Sequence, residues 1–229
     1  MEWFERWFQE EYDAIYVNRN DQQATDQVNA LLNYLSLEKG SRILDIGCGK
    51  ARHLKELISH SMNAVGIDLS YYLLKRAQEL HMATDKISIL PVARADMRYL
   101  PFTQGQFDVV CSFFTSFGYF ETREENTALL GYFADMVKNG GYIFLDLMNK
   151  DAVLKTLPKK DTQIIDGKKV TQDRTFINGC VCKEITIEYS PDRVEKYHER
   201  VMVFEKEDLY DLFKSVNLSV QTVFGDEQG

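Results

Sequence analysis

The sequence predicts an α/β fold, a doubly wound and mostly parallel sheet with helices at its N-terminus and an inserted antiparallel β-meander. Between residues 42 and 148, short apolar runs of strand length alternate with helical patterns, which is typical of a parallel sheet covered on both faces. Further along, Asp-Gly at 166–167 and Asn-Gly at 178–179 separate alternating segments, and both dipeptides favour two-residue hairpin turns. The predicted regions are an N-terminal helical cap at 1–40, the core at 41–161 and 205–229, and the inserted sheet at 162–204.

The N-terminal region should form two helices. Aromatic and apolar residues recur at helical spacing between Trp3 and Tyr16, and a second apolar stripe runs from Ala24 to Leu35. These spacings predict amphipathic helices, each with one face turned toward the rest of the chain.

The core should contain five parallel strands, with a sixth near the end of the sequence. The predicted strands are RILDI (42–46), NAVGID (63–68), ISILP (87–91), FDVVCSFF (107–114), YIFLDLM (142–148) and LSVQTVF (218–224). Helices are predicted at 51–59, from Ser70 onward, at 122–138 and at 205–216. Thr122 with Glu125 fits a capping box, and Gly140-Gly141 should end that helix.

Composition narrows the classes of function. A chain of 229 residues with 45% hydrophobic residues suits one globular domain with an insertion. A net charge of −8 disfavours an extended nucleic-acid surface, and no apolar run approaches the roughly 20 residues of a membrane helix. The four cysteines form no C-x-x-C pair, so we expect reduced thiols, no metal site and a cytoplasmic protein.

The segment ILDIGCGKARHL, residues 43–54, predicts a ligand site. Gly47 and Gly49 follow a strand that ends in an acid, and they allow a ligand to approach the backbone at the start of a helix. Asp68 and Asp96 follow the next two predicted strands, where one carboxylate suits a ribose diol and the other an adenine amine. A dinucleotide, another nucleoside cofactor and a tight turn without a ligand all fit the glycines alone.

The ordered motifs ILDIGCGKARHL, GIDLS, ADMRYLPF, FDVVCSFFTSFGYF and GGYIFLDLMN resemble those of class I S-adenosylmethionine-dependent methyltransferases. The resemblance covers about residues 40–150 and implies a Rossmann-like fold with S-adenosylmethionine as cofactor. The N-terminal WFERWFQEEYDAIYVNRN also resembles a bacterial subgroup of small-molecule type whose substrates are mostly unassigned. One departure is Ala51 at the third position of the glycine pattern, and alanine still permits close packing of helix and strand.

The resemblance assigns cofactor contacts residue by residue. It implies that Asp45, Gly47, Gly49, Phe113 and Phe114 border the methionine part, that Asp68 holds the ribose, and that Leu69, Asp96 and Met97 contact the adenine. Tyr12, Tyr16 and Arg19, in the N-terminal region, are further candidates for closing over the cofactor. An NAD site is the nearest enzyme alternative, but Arg52 occupies the position of its third glycine.

Methyl transfer requires alignment more than a catalytic side chain. Tyr119, which follows the fourth strand, is a candidate for orienting the acceptor, and His198 in the meander is a candidate general base. Core packing is the alternative for Tyr119. The sequence lacks the Asn/Asp-Pro-Pro-aromatic motif of many amino methylases that act on nucleic acids.

We therefore expect transfer of a methyl group to N or O of a small molecule. A nucleic-acid or protein methyltransferase and a non-catalytic S-adenosylmethionine sensor stay as alternatives. The inserted sheet is expected to roof the acceptor site, because it leaves the core at the edge where ligands of open α/β sheets bind. Its alternative use is a homodimer interface. The resembling fold closes with a seventh strand, which we expect to lie outside this sequence.

Overall fold

The computed structural model describes residues 2–16, 21–84 and 89–225. Within these ranges, five parallel strands form one sheet in the order β3-β2-β1-β4-β5. The strands are β1 (Arg42–Ile46), β2 (Asn63–Asp68), β3 (Val92–Arg94), β4 (Phe107–Ser112) and β5 (Val137–Leu145). The order reverses between β1 and β4, so the carboxyl ends of these strands meet at a topological switch point, where such sheets bind ligands.

Helices cover the sheet and precede it. They are α1 (Trp3–Trp7), α2 (Glu10–Ile15), α3 (Asp21–Leu35), α4 (Arg52–Ser59), α5 (Tyr71–Thr84), α6 (Arg123–Met136), α7 (Lys150–Thr156) and α8 (Lys206–Ser215). The predicted α/β fold with a Rossmann-like parallel sheet is confirmed. Among the described helices, none combines the length and the apolar character that crossing a membrane requires.

The strand alternation divides the core into two layers. Leu44 and Ile46 point into a cluster with residues of α6 and α8, whereas Ile43 points into a cluster with residues of α3, α4 and α5. Asp45 shares the face of Ile43, because successive side chains of a strand alternate between its faces. The sheet therefore carries one acid in an otherwise apolar buried strand.

The inserted sheet is an antiparallel meander of β6 (Lys160–Ile165), β7 (Lys168–Ile177), β8 (Cys180–Ser190) and β9 (Arg193–Met202). Asn178 and Gly179 have φ values of 50° and 75°, as a type I′ hairpin turn requires. The backbone N–H of Met202 donates to the carbonyl of Gly118 at 2.7 Å. This bond joins the end of the meander to the loop that follows β4.

Three local predictions are wrong. The third strand is Val92–Arg94 and not ISILP. Residues 87 and 88 of that segment lie outside the described ranges, and its Ile89 is 73% exposed. LSVQTVF forms no strand and pairs with no strand in the described structure. Gly140-Gly141 does not end the helix, because α6 ends at Met136 and both glycines lie within β5.

The N-terminal helix is interrupted. The pattern from Trp3 to Tyr16 predicts one helix, whereas the structure has the two short helices α1 and α2. The predicted capping box of Thr122 and Glu125 is present at the start of α6.

Candidate active site

One cavity lies at the carboxyl ends of β1, β2, β3 and β4. Its lining brings together most of the residues that the sequence predicts: Gly47, Gly49, Asp68, Leu69, Asp96, Met97, Phe113, Phe114 and Tyr119. Phe4, Phe8 and Tyr12 of the N-terminal segment close it from the opposite side. The cavity thus combines a glycine turn, two carboxylates and an apolar, largely aromatic wall.

The glycine turn packs tightly against the loop after β4. Gly47 has φ +75°, and a Cβ at this position would lie 2.7 Å from Cβ of Ser116. The backbone N–H groups of Gly47 and Cys48 both donate to the carbonyl of Ile67 at 2.9 Å. A side chain at residue 47 is therefore excluded by both conformation and space.

Asp68 organises the same turn from the end of β2. Its Oδ2 accepts from the backbone N–H of Gly49 and its Oδ1 accepts from that of Ser70, both at 2.8 Å. Burial raises the pKa of Asp68, and backbone hydrogen bonds from Ser70, Gly49 and Leu69 oppose this effect. The two carboxylate oxygens have about four lone pairs in total, so these backbone donors leave capacity for a ligand hydroxyl.

Asp45 lies behind the turn. Its side chain is 1% exposed, it is absent from the cavity lining, and its Oδ2 has no hydrogen-bond partner in the described structure. Burial, and secondly the charge of Asp68, raises the pKa of Asp45 to about 7. The structure therefore places Asp45 beneath the cavity and not on its surface.

Asp96 is held by a residue that the sequence did not indicate as part of the site. Nε of Arg98 donates to Oδ1 of Asp96 at 3.0 Å, and Nη2 donates to Oδ2 at 2.6 Å. Burial alone would raise the pKa of Asp96, but the hydrogen bonds from Arg98 outweigh it and the pKa is lowered. Arg98 also lies over the rings of Phe4 and Phe120, so it connects this acid to the N-terminal segment.

The loop after β4 forms one wall of the cavity in an unusual backbone conformation. Phe114 and Thr115 have φ values of 52° and 56°, and the left-handed region costs an ordinary residue about 1–2 kcal/mol. Asp146, just after β5, holds both: its Oδ2 accepts from the N–H of Phe114 at 2.9 Å, and its carbonyl accepts from that of Thr115 at 3.1 Å. Strain maintained in this way is typical of ligand-binding loops.

The N-terminal segment, residues 2–16, forms a lid with two faces. Phe4, Phe8 and Tyr12 line the cavity, and the ring of Phe8 lies 5.6 Å from that of Tyr119. The hydroxyl of Ser70 donates to the carbonyl of Phe8 at 2.5 Å, which fastens the lid to the end of β2. In the sequence, the inner face of the lid is indicated by the helical spacing of these aromatic residues.

The outer face of the lid packs on the meander. Trp7 is 1% exposed and lies in a cluster with Val170, Ile185, Ile187 and Tyr197. Tyr16 and Trp7 hydrogen bond to Glu199, which also pairs with Lys183 at 2.6 Å.

Two expectations are not met at this cavity. No described meander residue lines it, and the meander packs behind the lid, so its role as a roof over the acceptor site stays a prediction. Tyr16 likewise contacts the meander and does not line the cavity, while Arg19 lies outside the described residues.

His198 is not brought to the cavity. It is exposed on β9 opposite Glu184, whereas the neighbouring Tyr197 is buried beneath the lid. Alternation places His198 on the outward face of the meander. Within the described ranges, no group of three or more His, Cys, Asp or Glu residues could hold a metal ion.

A nucleoside cofactor whose chain carries a thioether or sulfonium group fits this cavity. Gly49 leaves open space where a side chain would otherwise stand, Asp68 retains acceptor capacity, and Leu69 and Met97 supply apolar surface.

Comparison with known proteins finds a family match inside the core. Residues 43–141 match the family described as a methyltransferase domain, so this part of the chain is a methyltransferase domain. A curated relative, the dTDP-3-amino-3,4,6-trideoxy-alpha-D-glucopyranose N,N-dimethyltransferase of Streptomyces venezuelae, is 28% identical over 59% of this chain and 54% of its own length. The chain spans about half the length of such curated relatives.

Solved structures share the fold of this chain. An S-adenosylmethionine-dependent methyltransferase from Clostridium acetobutylicum superposes with a TM-score of 0.71 at 17% identity, covering 92% of this chain and 91% of that one. The sugar N-methyltransferase KedS8 from a Streptoalloteichus species gives 0.69 at 21% identity, with coverage of 91% and 84%. The coverage extends beyond the methyltransferase domain, so the likeness in fold includes parts of the chain outside residues 43–141.

Proposed function

We propose that this protein binds S-adenosylmethionine in the described cavity and transfers its methyl group to N or O of a small molecule. The observation that carries the proposal is the cavity itself, where a glycine turn, Asp68 and Asp96 meet an aromatic wall beneath a lid. When bound, S-adenosylmethionine supplies an electrophilic methyl group on its sulfonium.

The chain's own residues would bind and orient. Asp68 would accept from the ribose hydroxyls, and Asp96, Met97 and Leu69 would contact the adenine. Gly47, Gly49, Phe113 and Phe114 would border the methionine part, and Asp45 would act from beneath the turn. Since in-line displacement depends on alignment and on exclusion of water, a closed aromatic cavity suits this chemistry.

A small acceptor is favoured by the lid. Phe4, Phe8 and Tyr12 close the cavity, which leaves less access for a folded polymer than for a metabolite. The relative from Streptomyces venezuelae is named for dimethylation of an amino sugar, so an amino sugar is the first acceptor to test. Tyr119 lines the cavity and is the side chain that we propose to orient the acceptor nitrogen or oxygen.

We further propose a cytoplasmic location and a possible homodimer. The four cysteines are free, which supports the cytoplasm as the compartment. We also propose the division into a cap at 1–40, a core and an insert at 162–204. A homodimer through the meander is tested by sedimentation.

Calorimetric titration with S-adenosylmethionine and S-adenosylhomocysteine tests the cofactor. Asp68→Asn keeps the size of the side chain but removes its charge, and it should weaken both ligands about tenfold or more, because hydrogen bonds to a charged acceptor are worth roughly 1.5–3 kcal/mol. Asp192→Asn, in the exposed turn after β8, is the matched control. Binding of NADH without binding of either sulfur ligand would overturn the proposal.

Transfer of a labelled methyl group tests the reaction. The label from S-adenosylmethionine should enter the small-molecule fraction of a cell extract, and amino sugars should accept it. Label in protein or nucleic acid would instead support the alternative substrates. Cofactor binding without any transfer would support a sensor.

A further inference from the structure

Two buried polar side chains connect α3 to the cavity wall. Gln27 lies on α3, a helix outside the parallel sheet, and His53 lies on α4. Each of the two residues is 6% exposed. Nε2 of Gln27 donates to Oδ2 of Asp146 at 2.9 Å, and Oε1 of Gln27 lies 2.8 Å from Nε2 of His53. Asp146, Gln27 and His53 therefore form one continuous chain of hydrogen bonds.

The direction of each bond follows from its chemistry. A carboxylate only accepts, so Gln27 must present its NH₂ group to Asp146 and its carbonyl oxygen to His53. That oxygen also only accepts, so Nε2 of His53 must carry a hydrogen. The neutral imidazole is thereby restricted to the Nε2–H tautomer, and the second ring nitrogen, Nδ1, carries the lone pair.

Both ends of this chain contact the aromatic wall. The ring of His53 stacks on that of Phe113 with a centroid distance of 4.2 Å and an interplanar angle of 1°. At the other end, the same Oδ2 of Asp146 that accepts from Gln27 accepts from the N–H of Phe114. His53, Phe113 and Phe114 all line the cavity.

We infer that Gln27 and Asp146 are positioning residues, which fix His53 as its Nε2–H tautomer and hold the wall of Phe113 and Phe114 in place for the ligand. The tautomer follows from the hydrogen bonds alone. The effect on ligand binding rests on the proposed function, with S-adenosylhomocysteine as the probe.

The tautomer is measured directly by ¹⁵N NMR of the histidine side chains. Four histidines are present, and replacing His60, His81 and His198 one at a time with Gln assigns their signals and leaves that of His53. We expect neutral His53 to show a protonated Nε2 and an unprotonated Nδ1. A protonated Nδ1 with a bare Nε2 would overturn the inference, whether or not the protein binds S-adenosylhomocysteine.

Gln27→Leu removes both bonds while keeping the side chain's approximate size. The neutral His53 should then lose its single tautomer, and S-adenosylhomocysteine should bind about three- to tenfold more weakly, the usual worth of one or two hydrogen bonds. Gln22→Leu is the matched control, because Gln22 is exposed on the same helix. Equal tautomers and equal affinities in the two variants would overturn the positioning role.

The variant Gln27→Glu distinguishes a positioning role of Gln27 from a packing role. The measured quantity is the pH dependence of its affinity for S-adenosylhomocysteine. In the described part of the chain, residue 27 hydrogen bonds to two titratable groups, Asp146 after β5 and His53 on α4. A second carboxylate beside Asp146 raises the pKa of the pair, so at lower pH one proton is shared and a donor to Asp146 is restored.

The affinity deficit of Gln27→Glu relative to Gln27→Leu should therefore shrink as the pH falls from 8 to 5.5. Both variants are measured at each pH, because an imidazole such as the one beside residue 27 ordinarily titrates in the same range. A deficit of Gln27→Glu that does not change with pH would contradict the inference. If the unmodified protein does not bind S-adenosylhomocysteine at all, the proposed function fails, and the NMR result still decides the tautomer.

Discussion

Gly47 lies in the turn between β1 and α4, and replacing it with alanine has two separable costs. Its φ of +75° costs a residue with a Cβ about 1–2 kcal/mol. The new Cβ would also lie 2.7 Å from Cβ of Ser116, and overpacking of this kind costs typically about 1–3 kcal/mol. We therefore expect Gly47→Ala to lower the free energy of unfolding by about 2–5 kcal/mol.

Gly49→Ala is the matched control in the same turn. Gly49 has φ +53°, but a Cβ there would meet nothing within 4 Å, so the strain alone remains, about 1–2 kcal/mol. Urea unfolding of the ligand-free protein measures both variants, and an unchanged slope against urea concentration makes the values comparable.

A second substitution isolates the clash. Ser116→Gly removes the atoms that the new Cβ of Gly47→Ala would meet, so the double variant should be more stable than additivity predicts, by about 1–3 kcal/mol. Ser116→Gly also removes the hydrogen bond from Ser116 Oγ to the carbonyl of Phe113. The double-mutant cycle corrects for this loss, because the single variant Ser116→Gly measures it separately. Equal destabilisation by Gly47→Ala and Gly49→Ala, together with additivity in the cycle, would refute the packing argument.

Two further predictions concern buried charge. Asp45 keeps its proton up to about pH 7 in the folded chain, whereas an unfolded aspartate loses it near pH 4, so the unfolding free energy should fall as the pH rises through this window. Asp45→Asn should abolish that fall, a gain on the order of 4 kcal/mol at pH 8 and little at pH 4 by urea unfolding; an equal effect at both pH values would count against it. Glu199→Gln leaves the largely buried Lys183, whose side chain is 11% exposed, without its charge partner and should cost about 3 kcal/mol. Glu184→Gln, at an exposed pair on the same strands, should cost much less, and equal losses would contradict the role of the pair of Lys183 and Glu199.

The sequence predicted elements whose signals are local. β1 and β2 have the predicted bounds, because an apolar run followed by glycine or a helix start is read without tertiary information. The hairpin at Asn178-Gly179 and the cap at Thr122 are likewise encoded within two to four residues.

Elements that depend on a distant partner were mispredicted. The segment LSVQTVF has strand propensity, but Val223 is 61% exposed and the segment pairs with no described strand. Strand propensity alone does not form a strand without a neighbouring strand to hydrogen bond to. β3 has three residues, too few for the alternation of a strand to be recognised in the sequence. In the neighbouring apolar run ISILP, Leu90 packs in the core but pairs with no strand.

The site shows the same division. The acids and glycines could be placed on one edge of the sheet because parallel strands share a direction. Arg98 escaped prediction because its role depends on reaching both Asp96 and the aromatic rings of the N-terminal segment. Gln27 escaped because a glutamine in a helix carries no signal of what lies 119 residues away at Asp146.

The meander packs against the outer face of the lid. α1 and α2 have five and six residues, lengths at which an isolated helix is unstable in water, so the lid depends on packing from both sides. Phe8 and Tyr12 face the cavity, while Trp7 packs 5.0 Å from the ring of Tyr197 on the meander. A closed cavity therefore requires a folded meander behind the lid. Changes on the inner face of the meander should alter ligand affinity without touching any residue that lines the cavity.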